Sequence, residues 1–157
     1  PSGTGMSTTT WQVPDNTVTS DQMLDSPSLA LPSTAVSVIL AFDAYHKAEQ
    51  NGPGACWDLS SMEYSNDGTT FTYLDGTHFF TDPYNGVGSN DTPVGARAGW
   101  CYPGPAGSNQ PTHSIVDLDS FIGQTIQLRY RMTSDSNTAA STPNGLIIDN
   151  FQVTVCQ

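Results

Sequence analysis

Hydrophobic and polar residues alternate with period two over several stretches of this chain. The strongest is TAVSVILAFDAY (Thr34–Tyr45), where Val36, Val38, Leu40 and Phe42 alternate with Ser37, Ile39, Ala41 and Asp43. That period predicts a strand with one strongly apolar face. IQLRYRM predicts a second strand, with Ile126, Leu128, Tyr130 and Met132 inward and Gln127, Arg129 and Arg131 outward, free to pair with carboxylates such as Glu63. SMEYSNDGTTFTYL reads as two strands joined at Asn66-Asp67-Gly68, because Asp-Gly between alternating segments is a hairpin signal. TWQVP predicts a short edge strand stopped by Pro14, and SIVDL another short strand. LIIDNFQVTV closes the described pattern, with its apolar phase broken around Asp149 and Asn150, which predicts a β-bulge.

Between these strands the chain is rich in turn formers. Residues 15–33 read as polar turns around a short apolar piece at Leu29–Leu31. Residues 75–111 read as long Gly/Pro/Asn loops interrupted by ARAGWCY, and such loops on a rigid body are where binding usually resides. No window has a helical period. Eight or nine strands without a crossover helix predict an all-β, antiparallel two-sheet sandwich. Residues 1–10, PSGTGMSTTT, have no periodicity and read as a flexible arm ahead of a domain at 11–157.

Composition narrows the function. Four basic residues against fifteen acidic ones give a formal charge of -11. A nucleic-acid partner is excluded, because no cationic face exists to displace counterions. Binding to an anionic membrane surface is disfavoured for the same reason, and no apolar run approaches the roughly 20 residues that span a bilayer. The opening PSGTG is not leader-like and reads as a processed product or a piece of a longer precursor. A surface rich in Ser, Thr, Asn, Gly and Pro and poor in Lys suits an extracellular or cell-surface protein. Cys56, Cys101 and Cys156 allow one disulfide. The expected pair is Cys56–Cys101, with Cys156 free or bonded to another chain; three reduced, buried thiols are the alternative.

The segment FDAYHKAEQNGPGACWD (Phe42–Asp58) gathers acids, a histidine, a lysine and a cysteine. It matches no catalytic pattern. HKAE is not a zinc-protease helix, Gly-x-Ser-x-Gly is absent, and GVGSNDTPVG lacks the Lys-Ser/Thr of a phosphate loop. His46, His78 and His113 are scattered, with no evident nucleophile beside any of them. An enzyme is therefore not expected. Oxygen-ligand chemistry fits better: Asp43, Glu49 and Asp58 sit at one strand end and the following loop, Asp149 sits in the last strand, and Asp135 sits in the loop before it. These acids either converge on a calcium ion or stand solvated in loops. The aromatics Tyr84, Trp100 and Tyr102 offer either a platform for sugar rings or anchors for the loops around them.

Two runs carry a family likeness. Asp117–Asp135, read as DL-x-x-F-x-GQT-x-QLR-x-R-x-x-x-D, is followed by G-x-x-IDN at Gly145–Asn150, with AFDAYHKAE and CWDLSSMEYSNDGTTFTYL upstream. The chain from Trp11 to Val155 resembles the MAM-like jelly-roll module of secreted bacterial proteins, as in immune-inhibitor-A-type metalloproteases. The resemblance implies a jelly-roll sandwich without its own catalytic centre, often with a structural calcium ion. Glu49, Asp58, Asp135 and Asp149 match its acidic positions, and Asp43 less closely. The chain departs from the pattern at WDLSS, where the module has Asp-Gly-Gly, and at Leu146 and Asn150, where it has Trp and Asp.

These readings predict a noncatalytic extracellular binding or adhesion module with one structural calcium. Two alternatives stay open: a subunit of an extracellular polymer that adds its N-terminal arm to a neighbour's sheet edge, and a carbohydrate-binding module. The partners expected are other extracellular domains, copies of the same chain, or glycans.

Overall fold

Alternation in Ser37–Lys47 becomes β4, the inner strand around which the first sheet is built. In the computed structural model, which describes residues 10–103, 110–140 and 144–157, β4 pairs antiparallel with β10 (Thr112–Asp117) on one side and β12 (Gly145–Cys156) on the other. β1 (Trp11–Val13) adds to the far edge of β12 over Leu146–Ile148. Most of the expected N-terminal arm, residues 1–9, lies outside the described residues. The second sheet is antiparallel in the order β2 (Ser20–Asp25), β11 (Thr125–Ser134), β6 (Leu59–Ser65) and β7 (Thr72–Tyr73), and β3 (Leu29–Ala30) also pairs with β11. A small third sheet joins β5 (Ala55–Cys56), β8 (Gly86–Gly88) and β9 (Ala98–Gly99), with β5 and β8 parallel.

The two large sheets pack face to face as a β-sandwich. Leu40 and Phe42 of β4, Met62 of β6, Leu128 and Tyr130 of β11 and Ile148 of β12 share one buried core. Phe42 meets Tyr130 edge-on with ring centroids 5.1 Å apart, the geometry favoured by aromatic quadrupoles. The inward and outward residues of β11 are those the sequence pattern predicts. In β12 the register shifts between Asp149 and Gln152, with Asn150 at a φ of 53°, so the predicted bulge is present. Val36 differs from expectation. It is 73 % exposed, because the strand begins one residue later and the Val36 amide is spent on the Cys156 carbonyl.

β2 differs too, since residues 20–25 are a strand and not a polar turn. SDQMLD holds only two apolar residues because it is an edge strand, paired on one side only. Its acids serve the neighbour: Asp25 binds Arg129 at 2.6 Å and Asp21 binds Arg131 at 2.6 Å. Buried Glu63 accepts from both Arg131 and Arg97 at 2.9 Å, so all three arginines of the chain are committed to ion pairs on one sheet face.

Candidate metal centre

Four connections meet at one end of the sandwich, and each delivers a carboxylate. Glu49 lies two residues beyond β4, Asp58 sits between β5 and β6, Asp135 follows β11 directly, and Asp15 lies between β1 and β2. Backbone bonds fix the arrangement. The amides of Trp57 and Asp58 both donate to the Glu49 carbonyl, at 2.9 and 3.2 Å, and fold the 49–58 loop back on itself. The Asp135 amide donates to Asp58 Oδ1 at 2.6 Å, and the Ala140 amide donates to Asp15 Oδ2 at 2.8 Å. Carboxylate oxygens of Glu49, Asp58 and Asp135 lie within 4.8 Å of one another. Oxygens at about 2.4 Å from a calcium ion span the same distance across it.

Burial makes this cluster unusual. Asp58 is wholly buried, and Asp15 and Asp135 are each 4 % exposed. Asp15 Oδ1, Glu49 Oε2 and Asp58 Oδ2 are buried with no hydrogen-bond partner. Burial, and then the facing Asp15 carboxyl, pushes Asp58 up to about 9. Asp15 is also raised, chiefly by burial, although Asp58 and the amides of Ala140 and Glu49 pull the other way. Glu49 is raised by burial and by the negative charges of Asp135 and Asp15. Without a cation, burial and the neighbouring carboxylates favour the protonated form of Asp58. A divalent cation removes the need for that proton, and an all-oxygen donor set suits calcium or magnesium better than a thiophilic metal. The orphaned oxygens therefore fit a bound metal ion.

Of the five acids expected from the sequence, Glu49, Asp58 and Asp135 come together, and Asp43 and Asp149 do not. Strand parity is the reason. Phe42 and Ala44 face the core, so Asp43 faces outward, and Asp149 is its register partner across the ladder. Asp43 is bound instead by His113 at 2.7 Å and by Asn150 at 2.7 Å. Asp15 was missed. Its only sequence signal is an acid just after the Pro14 that ends β1, and turn acids of that kind are common.

The other candidate chemistry is consumed by packing. Trp100 is fully buried, donates its indole N–H to the Asp82 carbonyl at 2.9 Å, and stacks on His46 with centroids 4.5 Å apart. Tyr84 donates to the Leu74 carbonyl at 2.7 Å and accepts from the Met62 amide. The Tyr102 hydroxyl binds the Gly52 carbonyl. These three aromatics anchor loops and form no exposed platform. His46 Nδ1 lies 3.0 Å from Ser60 Oγ, and its Nε2 lies 3.6 Å from Asp82. That line has the order of a nucleophile, base and acid, but Ser60 and His46 are each 1 % exposed, so it ties the sheets together out of reach of solvent.

Cys56 and Cys101 form a disulfide, with Cα atoms 6.0 Å apart, and Cys156 is an exposed free thiol. A β-carbon at Gly86 would run into both sulfurs, so glycine is required there. The bridge points to a non-cytoplasmic location. Among the described residues no helix is long and apolar enough to cross a membrane. No protein-family model matches the chain, and no curated protein matches it.

Proposed function

We propose that this chain is a noncatalytic extracellular module of the MAM-like jelly-roll kind, stabilised by one calcium ion held by Glu49, Asp58 and Asp135, with Asp15 beside Asp58. The observation that carries this reading is the set of three buried, unpartnered carboxylate oxygens where four connections converge. In a protein interior such oxygens are costly unless a cation or proton serves them. Four segments meeting at one ion make its role structural: it fixes the loops at that end and so the surface they present for binding or assembly. Calcium supplies charge neutralisation and flexible oxygen coordination, while Glu49 and Asp58, held by their shared backbone bonds, preset the cage. The commitment of His46, Trp100, Tyr84 and Tyr102 to packing supports a binding role over catalysis and weakens the carbohydrate alternative. Calorimetric titration of metal-free protein with calcium tests the reading. One ion is expected per chain, with heats absent in Asp58→Ala. Equal heats in the variant would place the ion elsewhere and end this assignment.

A further inference from the structure

Asparagine followed by glycine occurs three times in the chain, at Asn51-Gly52, Asn85-Gly86 and Asn144-Gly145. In such a pair the glycine nitrogen can attack the asparagine side chain, because glycine has no β-carbon to restrict the approach. The fold treats the three pairs differently. Asn85 accepts from the Cys101 and Tyr102 amides and donates to the Tyr102 carbonyl at 3.0 Å, and a β-carbon on Gly86 would meet both sulfurs of the disulfide. Asn144 donates to the carbonyls of Ala140 and Asp15, at 2.9 and 3.4 Å, and Gly145 lies against the Val13 carbonyl and the Asp15 amide. Gly86 and Gly145 are both buried. Asn51 and Gly52 are exposed, and a β-carbon on Gly52 would meet nothing within 4 Å. Among the described residues the Asn51 side chain makes no hydrogen bond and the Gly52 amide donates none.

We infer that Asn51 is a site of spontaneous deamidation, which adds a charge and, through isoaspartate, a backbone atom to the loop that carries Glu49 and Asp58. The Gly52 nitrogen gives its proton to hydroxide and bonds to Asn51 Cγ. The bond from Cγ to Nδ2 breaks, and ammonia leaves. Water then opens the cyclic imide at either carbonyl and yields aspartate or isoaspartate, with no oxidation or reduction. The local structure suits this reaction. Asn51 lies in a small hairpin closed by the Gln50–Cys56 bridge and by its own amide, which donates to the Ala55 carbonyl at 2.8 Å. The tip is a tight turn in which the Ala55 amide donates to the Gly52 carbonyl at 3.1 Å, with Pro53 and Gly54, at a φ of 72°, on its corners. An exposed loop tip has few contacts to lose, so it opens locally and reaches the geometry of attack. At Asn85 and Asn144 the same motion must first break the side-chain hydrogen bonds. Isoaspartate at 51 lengthens the main chain two residues from the Glu49 carbonyl, which accepts from the Trp57 and Asp58 amides.

The unaltered protein supplies the test. It is incubated at pH 8 and 37 °C, folded in one arm and unfolded in urea with the disulfide reduced in the other, and peptide-mapped by mass spectrometry over time. In the folded arm Asn51 should convert at least tenfold faster than Asn85 and Asn144, and in the unfolded arm the three rates should converge. Conversion of Asn85 or Asn144 as fast as Asn51 in the fold would overturn the inference. So would a lead for Asn51 that is as large in the unfolded chain, since the fold would then have no part in it. The isoaspartyl form, separated by chromatography, is compared with Asn51→Asp, which has the charge without the added atom. Its Trp57 and Asp58 amides should exchange with deuterium at least tenfold faster than those of the variant. Equal protection in the two would overturn the effect on the loop.

Discussion

Removing calcium should destabilise this protein by an amount that depends on pH, and the sign follows from Asp58. In the metal-free fold, burial and Asp15 hold this carboxyl up to about 9, against 3.8 in the unfolded chain. A raised folded-state value contributes stability that is complete below pH 3.8 and is lost as pH rises through about 9. At about 1.4 kcal/mol per pH unit, keeping that proton at pH 7 costs on the order of 4 kcal/mol relative to the unfolded chain. Calcium bound at the proposed site would displace the Asp58 proton and reverse the dependence, since a carboxylate binds the cation in its deprotonated form. Its stabilisation should therefore grow from pH 6 to 8 by up to about 1.4 kcal/mol per unit, the slope for one displaced proton. At a hundred times its dissociation constant, calcium adds about 2.7 kcal/mol, or roughly 5–10 °C in Tm for a domain of this size. The assay is thermal unfolding of chelator-treated, dialysed protein at pH 6, 7 and 8, with and without millimolar calcium. Superimposed melts at all three pH values would refute the site. A calcium increment that shrinks as pH rises would refute the role given to Asp58.

Other perturbations follow from the same contacts. Asp58→Asn should leave the Asp135 amide bonded, donate to Asp15 and stabilise the metal-free fold by roughly 1–3 kcal/mol at pH 8, while abolishing the calcium-dependent shift in Tm. Replacing Cys56 and Cys101 together by Ser opens a bridge of 45-residue separation and should cost about 4 kcal/mol in denaturant melts. Gly145→Ala places a β-carbon at a φ of 84° and against the Val13 carbonyl and the Asp15 amide; it should cost at least ~2 kcal/mol and weaken calcium binding in titrations. Glu63→Ala leaves Arg97 and Arg131 without their shared acceptor and should lower stability by about 3 kcal/mol in urea, more than truncating the exposed partner Asp25.

The long strands were legible because burial on one face writes itself as period two. β4 and β11 follow the pattern, and the loss of phase at Asp149 and Asn150 marked the bulge in β12. Short strands carry no period. β5, β7 and β9 have two residues each, and they exist because Trp100, Tyr73 and the disulfide hold their backbones beside a partner. The acidic cluster was half legible for a related reason. An acid at a strand end can be read from sequence, but the face it takes depends on where the strand starts and bulges. Asp43 and Asp149 were lost on that count. Asp15 was invisible because its role comes from β1 pairing with β12, a contact between the two ends of the chain.

The loop from Ala48 to Asp58 shows how a chain with few charges and many turn formers makes one end of a sandwich rigid. Within eleven residues it holds a glutamate and an aspartate of the cluster and one half of the disulfide. The Ala48 amide donates to the Cys101 carbonyl at 3.1 Å, next to the bridge that Cys101 makes to Cys56. The loop is thus pinned to one neighbour by a covalent bond and to Asp135 by the bond from its amide to Asp58. The disulfide sits in a small apolar cluster with Ala48, Leu59 and Met132, and both devices act where Gly52, Pro53 and Gly54 could not have built a core. Because both constrain the same backbone, each lessens the ordering cost that the other must overcome. A calcium ion bound at the proposed site would be coupled to the disulfide, and by linkage the coupling would be equal in both directions: whatever the bridge adds to calcium affinity, calcium would add to the stability of the bridge.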